Sequence, residues 1–476
     1  GDPMNSSSMM ALLPILMLSL TVVVLMIQAS IKRDQSIAWM ITGIGFLVSL
    51  WAAGYARGFT QTVTVLLSVD DWGLYFTTLV LLASVVTLVL SKDTFSPEGE
   101  RKEEFYLLLV LSVLGAVVLI QSTHMVSLLL GMELMGVALY AMIAFPERGQ
   151  LPLEAAIKYL VLSACASAML LYGFALLYAA TGDLSYAGIG TKAILAYAQN
   201  PVLVISGTVL VLAGICFKLS LVPFHMWTPD VYEGAPTPVT GFLATVSKGA
   251  VFVALARFFI EGQLYQYSSL IGVLSMVAIA SMMIGNLLAL KQNNVKRLLA
   301  YSSIAHFGYL LVVLIALAYQ DGPLVNEAIT FYLGAYILTT LLAFSVVATI
   351  AGEEEEKNDI IFFEGLFWRK RIQAVGLTVA MLSFAGIPLT AGFMGKFYII
   401  SVGIQSGLWW LLAALVMGSA IAIYYYLRII FAMSKTSKIS SDSPTQAQDL
   451  LVIVLVAMVI ILGSWPQPFI EIAGRL

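Results

Sequence analysis

Four ionisable side chains fall near the middle of stretches otherwise apolar enough to cross a bilayer. Glu133 lies in QSTHMVSLLLGMELMGVALYAMIAF, Lys218 in VLAGICFKLSLVPFHMW, Lys248 in VTGFLATVSKGAVFVALA and Lys396 in MLSFAGIPLTAGFMGKFYII. A charge at bilayer depth costs about 2.5–3.5 kcal/mol on insertion scales. One carboxylate and three amines at that depth point to proton movement. Hydrocarbon favours the neutral form of such a group, and a nearby opposite charge favours the ionised form. A Glu–Lys pair therefore changes state when its members separate. The bland alternatives are a protonated structural acid at Glu133 and an ion-pair anchor at Lys218. Lys248, with Thr245 and Ser247 beside it, is too central to snorkel easily.

Two further residues are candidates. His306 sits in YSSIAHFGYLL among Ser302, Ser303 and Tyr309. An imidazole titrates near pH ~6.5, which suits a relay as well as a hydrogen-bonded structural role. Lys158 lies near the end of its span, where snorkelling is the ordinary explanation. Arg257 and Arg428, also near span ends, read as snorkelling. His225 follows Pro223 and either caps a break or borders a path. His124 opens a helix and reads as structural.

The elements that must position these groups follow from composition. Of 476 residues, 60% are hydrophobic and 11% charged, and mean hydropathy is +0.94. Ordinary soluble domains carry about 25% charged residues. The chain is therefore an all-α integral membrane protein. Net charge is −3, which gives no nucleic-acid footprint. Cys165 and Cys216 have no ligand spacing, which excludes a cysteine-ligated iron–sulfur cluster on this chain. No dinucleotide or Walker motif is present. Energy for any proton movement must come from elsewhere.

Apolar runs predict fourteen spans near 9–31, 37–57, 72–91, 105–121, 124–145, 153–180, 201–232, 237–260, 267–290, 296–319, 324–350, 372–403, 407–433 and 449–465. The three residues before Met4 read as a vector-derived remnant. The segment after Met9 reads as a first span because it lacks a basic n-region and a cleavage site. Spans seven and twelve are too long and are interrupted around Pro223 and Pro388. Proline removes a donor, and freed backbone inside a membrane must be buried in protein or line a cavity. Breaks five spans apart suggest two inverted five-helix repeats, helices 4–8 and 9–13. The divisions are 1–8 (tail), 9–104 (helices 1–3), 105–260 (first repeat), 267–433 (second repeat) and 434–476 (helix 14 and C-terminus).

With the N-terminus outside, inner loops hold Lys32, Arg33, Lys92, Arg101, Lys102, Arg148, Lys291, Lys296, Arg297, Lys357, Arg369, Lys370, Arg371, Lys435 and Lys438. Outer segments hold Arg57, Lys192 and Arg475. This bias places both termini outside, in the periplasm of a Gram-negative cell. The acidic run Glu353–Glu356 reads as a solvated inner loop.

The stretches GICFKLSLVPFHMWTPDVYEGAPTPV, NVKRLLAYSSIAHFGYLL and MLSFAGIPLTAGFMGKFYII resemble the antiporter-like subunits of respiratory complex I. The resemblance extends over nearly the whole chain, including YYYLR at 424–428 and WPQP at 465–468, and is nearest the N type of the bacterial NADH–quinone oxidoreductase. It implies fourteen helices, inverted repeats and broken helices 7 and 12. It implies proton-transfer roles for Glu133, Lys158, Lys218, Lys248, His306 and Lys396. M-type relatives carry a glutamate on helix twelve, so Lys396 favours N or L. The L type continues past helix fourteen, which favours N. The resemblance further implies proton translocation in the bacterial inner membrane. No cofactor is expected on this chain. FMN, iron–sulfur clusters and quinone belong to partner subunits, and the neighbours are an M-type subunit and small K/J-type subunits. The alternatives are a subunit of a multi-subunit cation/proton antiporter or membrane-bound hydrogenase, or a stand-alone inverted-repeat transporter.

Overall fold

The computed structural model describes residues 4–92, 102–146, 150–320, 322–351, 357–436 and 446–473. The three residues before Met4, the acidic run Glu353–Glu356, and Arg101, Arg148, Lys438 and Arg475 of the charge count lie outside them. Among the described residues, thirteen helices are long and apolar enough to cross a membrane. One further passage is assembled from two shorter helices, Arg371–Ala385 and Ala391–Ser406. Helices dominate because hydrocarbon leaves backbone groups no partner except their own ladder.

The third to sixth spans are Asp71–Ser91, Lys102–Gln121, Met125–Ile143 and Leu151–Thr181. The seventh is Pro201–Lys218 followed, after the break, by Thr228–Gly234. The eighth runs Thr237–Glu261. The ninth to eleventh are Ser268–Leu290, Val295–Ala316 and Pro323–Ala351, the thirteenth is Trp409–Ser434, and the fourteenth is Gln446–Ser464. The eighth, tenth and eleventh are the most enclosed; the first and fourteenth mostly face outward. Three of the candidate residues, Lys248, His306 and Lys396, therefore sit on or against the most enclosed helices.

Polar residues set the starts. Asp70 accepts from Gly73 N at 2.7 Å ahead of the third span. His124 Nδ1 accepts from Val126 N at 3.0 Å ahead of the fifth, which is the structural role its position suggested. Two elements escaped the hydropathy reading. One is a short hairpin pairing Gln61–Thr62 with Ser68–Val69. The other is a helix, Tyr186–Gln199, between spans six and seven. It buries Tyr186, Ile189, Gly190 and Ala193, spaced three and four apart, and is amphipathic rather than spanning.

Isolated bridges link Leu67 to Ser122 and His124 to Ser185, and Arg57 donates to Ile472 O at 2.7 Å. Asn294 pairs with Asp359. These are the loop groupings that the alternating charge bias requires.

The two five-helix runs use the same devices. Their first two helices cross on glycine: a Cβ on Gly115 would meet Met135 N at 2.6 Å, and one on Gly285 would meet Tyr301 O at 2.8 Å. Both breaks are Schellman caps. In span seven, Leu221 N donates to Cys216 O at 2.9 Å and Ser220 N to Phe217 O at 3.2 Å. In span twelve, Ile387 N donates to Leu382 O at 3.0 Å and Gly386 N to Ser383 O at 3.1 Å. The left-handed cap residue is Gly386 (φ 80°) in one and Ser220 (φ 64°) in the other. Leu389 adds a second left-handed turn (φ 73°) at the twelfth. Backbone freed at the seventh break is satisfied from outside the helix: Val222 N donates to Ser281 Oγ of the ninth span at 3.0 Å.

Candidate functional site

Three groups of side chains occupy the interior. The first surrounds Glu133 and Lys218. Ser163 and Ser167, one turn apart on the sixth span, face the fifth and seventh. Lys218 Nζ donates to Ser163 Oγ, and Ser167 Oγ donates to Glu133 Oε1. Glu133 and Lys218 are thus within electrostatic reach of each other without a direct ion pair. Lys218 is the last residue of its half-helix. Helical side chains tilt toward the N-terminus, so Lys218 leans away from the break.

The second group surrounds Lys248, which is fully buried. A π turn, Leu243–Ser247, immediately precedes it. Such a turn inserts one residue into the ladder and re-aims the side chains beyond it. Lys248 Nζ donates to Ser303 Oγ at 2.9 Å. Ser303 Oγ meets Tyr336 Oη at 2.6 Å, and Tyr336 donates back to Ala244 O in the π turn at 3.1 Å. The ammonium lies 5.2 Å from the Tyr232 ring centre and 5.3 Å from that of Phe307. Ring faces supply partial compensation for its charge.

The third group surrounds His306. Its Nδ1 lies 2.5 Å from Tyr332 Oη and its Nε2 3.1 Å from Tyr426 Oη. Tyr426 in turn bonds Ser302. Ser302, Ser303 and His306 share the tenth span, and Tyr332 and Tyr336 are one turn apart on the eleventh, so these last two groups are contiguous. The charges of Lys396 and Lys248 both act on the imidazole.

Lys396 closes the row. It is buried, and its Nζ has no hydrogen-bond partner among the described residues. It stands 5.3 Å from the Tyr309 ring centre. A Cβ on Gly386 would sit 3.0 Å from Lys396 Cδ, so the glycine cap leaves the space the lysine stem uses. A cavity of about 10 Å³ is lined by Lys396, His306, Tyr332 and Ser383, among others. That is room for about one water, which needs two to four polar partners.

Lys158 stands apart from this buried row. Its Nζ meets Glu154 Oε1 at 2.8 Å and Asp230 Oδ2 at 2.9 Å, with its side chain 38% exposed. Asp230 also meets Arg297 at 2.8 Å, and Arg297 meets Glu233 at 2.8 Å. Lys296 Nζ donates to Ala235 O at 2.6 Å, at the end of the same half-helix. The second half of span seven is thereby tied to spans six and ten.

Two snorkelling assignments are corrected. Arg257 is 1% exposed and grips Asp70 with both terminal nitrogens, at 2.8 and 2.6 Å, while its Nε donates to Ile120 O at 2.8 Å. It is a buried clamp, because the start of span three and the end of span four both bring acceptors to it. Arg428 donates to Leu290 O, Gln292 O and Asn293 Oδ1 and stitches the loop before span ten to span thirteen. His225 is partly buried, and its Nδ1 has no hydrogen-bond partner among the described residues.

The residues missed in the sequence are the serines and tyrosines: Ser163, Ser167, Tyr332, Tyr336 and Tyr426. The serine pair had a signal, two hydroxyls four residues apart within LSACASAML. The tyrosines had none, since each partner lies on another helix.

A multi-span bundle with paired broken helices and a buried row of amines defines a membrane protein of the antiporter-like class. Residues 122–422 match the family described as NADH:quinone oxidoreductase/Mrp antiporter, TM. The chain belongs to that family. It is similar to a chain of respiratory complex I from Thermus thermophilus with bound aureothin, at 31% identity and TM-score 0.84, covering 96% of this chain and 98% of that one. It is also similar to a chain of the membrane-bound sulfane sulfur reductase, an archaeal respiratory membrane complex, at 26% identity and TM-score 0.86, covering 97% and 96%. A chain of the Mrp complex from Dietzia sp. DQ12-45-1b shares the fold at 18% identity and TM-score 0.85, covering 99% and 96%.

Proposed function

We propose that this chain is the N-type proton-translocating subunit of a bacterial NADH–quinone oxidoreductase. The observation that carries the reading is the buried row: Glu133 and Lys218 each held by a serine of the sixth span, then Lys248 bonded to Ser303, His306 bonded to Tyr332 and Tyr426, and Lys396 buried beside them. A proton on Lys248 has Ser303 and Tyr336 as its next stations. Their hydroxyls donate and accept at once, so a proton can pass by rotation of hydrogen bonds. His306 accepts or donates on either ring nitrogen through Tyr332 and Tyr426. Lys396 holds the far end and reaches His306 through a bridging water. Between the Lys218 and Lys248 groups stand Tyr140, which meets Ser163, and Tyr159, which meets Ser247, with their ring centres 5.1 Å apart. Lys158 belongs to the route only as a charge near its mouth, acting through Asp230 on the half-helix behind Lys218.

Electron transfer belongs to partner subunits that carry FMN, iron–sulfur clusters and quinone. The neighbours in the bacterial inner membrane are an M-type subunit and small K/J-type subunits. The likeness to the sulfane sulfur reductase chain favours a second reading, the corresponding subunit of another respiratory complex.

One experiment separates the two. The chain is purified from its native membrane with its partners. Co-purifying flavin and iron–sulfur proteins that reduce quinone with NADH support the first reading. Partners that do not oxidise NADH overturn it. In the assembled complex, Lys396→Met should abolish most proton pumping; undiminished pumping would remove Lys396 from the route.

A further inference from the structure

We infer that the groove between the end of span thirteen and the segment 359–364 is a binding site for a zwitterionic phospholipid with a primary ammonium headgroup, of the phosphatidylethanolamine type. The groove has a volume of about 590 Å³. One wall is a helical stripe, Tyr424, Leu427, Arg428, Phe431 and Lys435, spaced three and four apart. The other wall carries Asp359, Ile361 and Glu364.

Charge is the deciding feature. Two cations and two carboxylates line one groove, and among the described residues none of the four pairs with another. Arg428 spends its donors on neutral acceptors, Leu290 O, Gln292 O and Asn293 Oδ1. The groove thus presents both signs with no net charge. An anionic headgroup would meet Asp359 and Glu364 unfavourably, and a simple cation would meet Arg428 and Lys435. A headgroup with its own phosphate and its own ammonium matches all four. The phosphate faces Arg428 and Lys435, and the ammonium donates to the carboxylates.

The apolar part of the groove matches the rest of the molecule. Tyr424 and Phe431 are 63% and 61% exposed and continue the lipid-facing side of span thirteen toward the hydrocarbon. Ile361, 58% exposed, faces them across the opening. Acyl chains would lie along this stripe while the headgroup stays at the end of the span. Quaternary methylation removes the N–H donors, so a choline headgroup fits the carboxylates less well.

The full chain, purified with its partners in detergent, is exchanged against dioleoyl phosphatidylethanolamine, phosphatidylcholine or phosphatidylglycerol, and retained lipid is counted by native mass spectrometry. Phosphatidylethanolamine should be retained in preference to both. The variant Asp359→Asn with Glu364→Gln should weaken that retention about tenfold, the equivalent of one charge-assisted hydrogen bond. The same variant should retain phosphatidylglycerol better than the parent does. Lys435→Gln, at an exposed position, should weaken both phospholipids. Equal retention of phosphatidylglycerol and phosphatidylethanolamine by the parent overturns the proposal. So does undiminished phosphatidylethanolamine in the carboxamide variant, or no retained lipid at all.

Discussion

Glu133 and Lys218 communicate through the sixth span: Ser167 holds the carboxylate and Ser163, one turn earlier, holds the ammonium. The pair is therefore set by a helix that carries neither charge. A small rotation of the sixth span changes both hydrogen bonds together.

Ser163→Ala and Ser167→Ala should each uncouple the pair. A hydrogen bond to a charged group is worth about 1.5–3 kcal/mol, so pumping should fall about tenfold or more while assembly persists. The double variant should cost less than the sum, because the two serines serve one connection. Proton uptake by the reconstituted complex checks this, and strictly additive losses would separate the two serines into independent roles.

Ser220 holds a conformation that favours glycine, and its hydroxyl accepts from Thr228 Oγ1 at 2.5 Å across the break. Ser220→Ala loses the hydrogen bond and keeps the strain. Ser220→Gly loses both. The glycine variant should be the more stable of the two by about 1 kcal/mol, read by thermal unfolding in detergent.

Gly386→Ala should be the harsher change at the other break. The alanine meets φ 80° and presses on the Lys396 stem. Destabilisation of more than about 1 kcal/mol is expected, with pumping lost beyond what reduced assembly explains. Lys396→Arg should also fail to pump, because guanidinium does not release its proton at accessible pH. Normal pumping by Lys396→Arg would mean that this residue acts as a fixed charge.

The Arg257–Asp70 clamp predicts a stability effect away from the row. Arg257→Met leaves Asp70 without its partner and frees Ile120 O. Breaking a buried pair from one side costs about 3–5 kcal/mol, reduced here because Asp70 is partly exposed. Arg257→Lys restores charge without the fork and should recover only part of the loss. The melting temperature in detergent is the readout.

Asp183, between span six and the helix Tyr186–Gln199, gives a pH test. The backbone N–H of Ser185 donates to its Oδ1 at 2.9 Å, and Lys192 lies 3.0 Å from Oδ2. These hold its carboxyl at about 2, below the usual 3.8, against the opposing pull of burial. Folding thus gains from ionised Asp183 above about pH 4, and the gain disappears as pH falls from 4 toward 2. Amide exchange at Ser185 and Gly188 should quicken over that window, and Asp183→Asn should remove the dependence.

Much of this was legible in the sequence. The lengths of 201–232 and 372–403, with Pro223 and Pro388 inside them, give the two breaks. A charge cannot hide in a hydropathy profile, so Glu133, Lys218, Lys248 and Lys396 stand out. What hydropathy cannot give is azimuth. Arg257 and Lys158 both look like span-end cations, yet one is sealed against Asp70 and the other joins a half-exposed ion-pair network. The π turn before Lys248 is equally silent, because LATVS differs from ordinary helix only by its tertiary contacts. Ser163 and Tyr336 matter through partners about 55 and 33 residues away in sequence.

The Schellman breaks carry a geometric consequence. Aligned on their caps, Ser220 matches Gly386, so the counterpart of Lys218 is Phe384, and Lys396 belongs to the half-helix beyond the break. Spans seven and twelve run in opposite directions, being five passages apart. A lysine before one break and a lysine after the other therefore hang from the same leaflet. Had the repeat been copied residue for residue, the two amines would face opposite leaflets. The offset from Phe384 to Lys396 puts both amines on the same side of their breaks, which a strict copy of the repeat would not do.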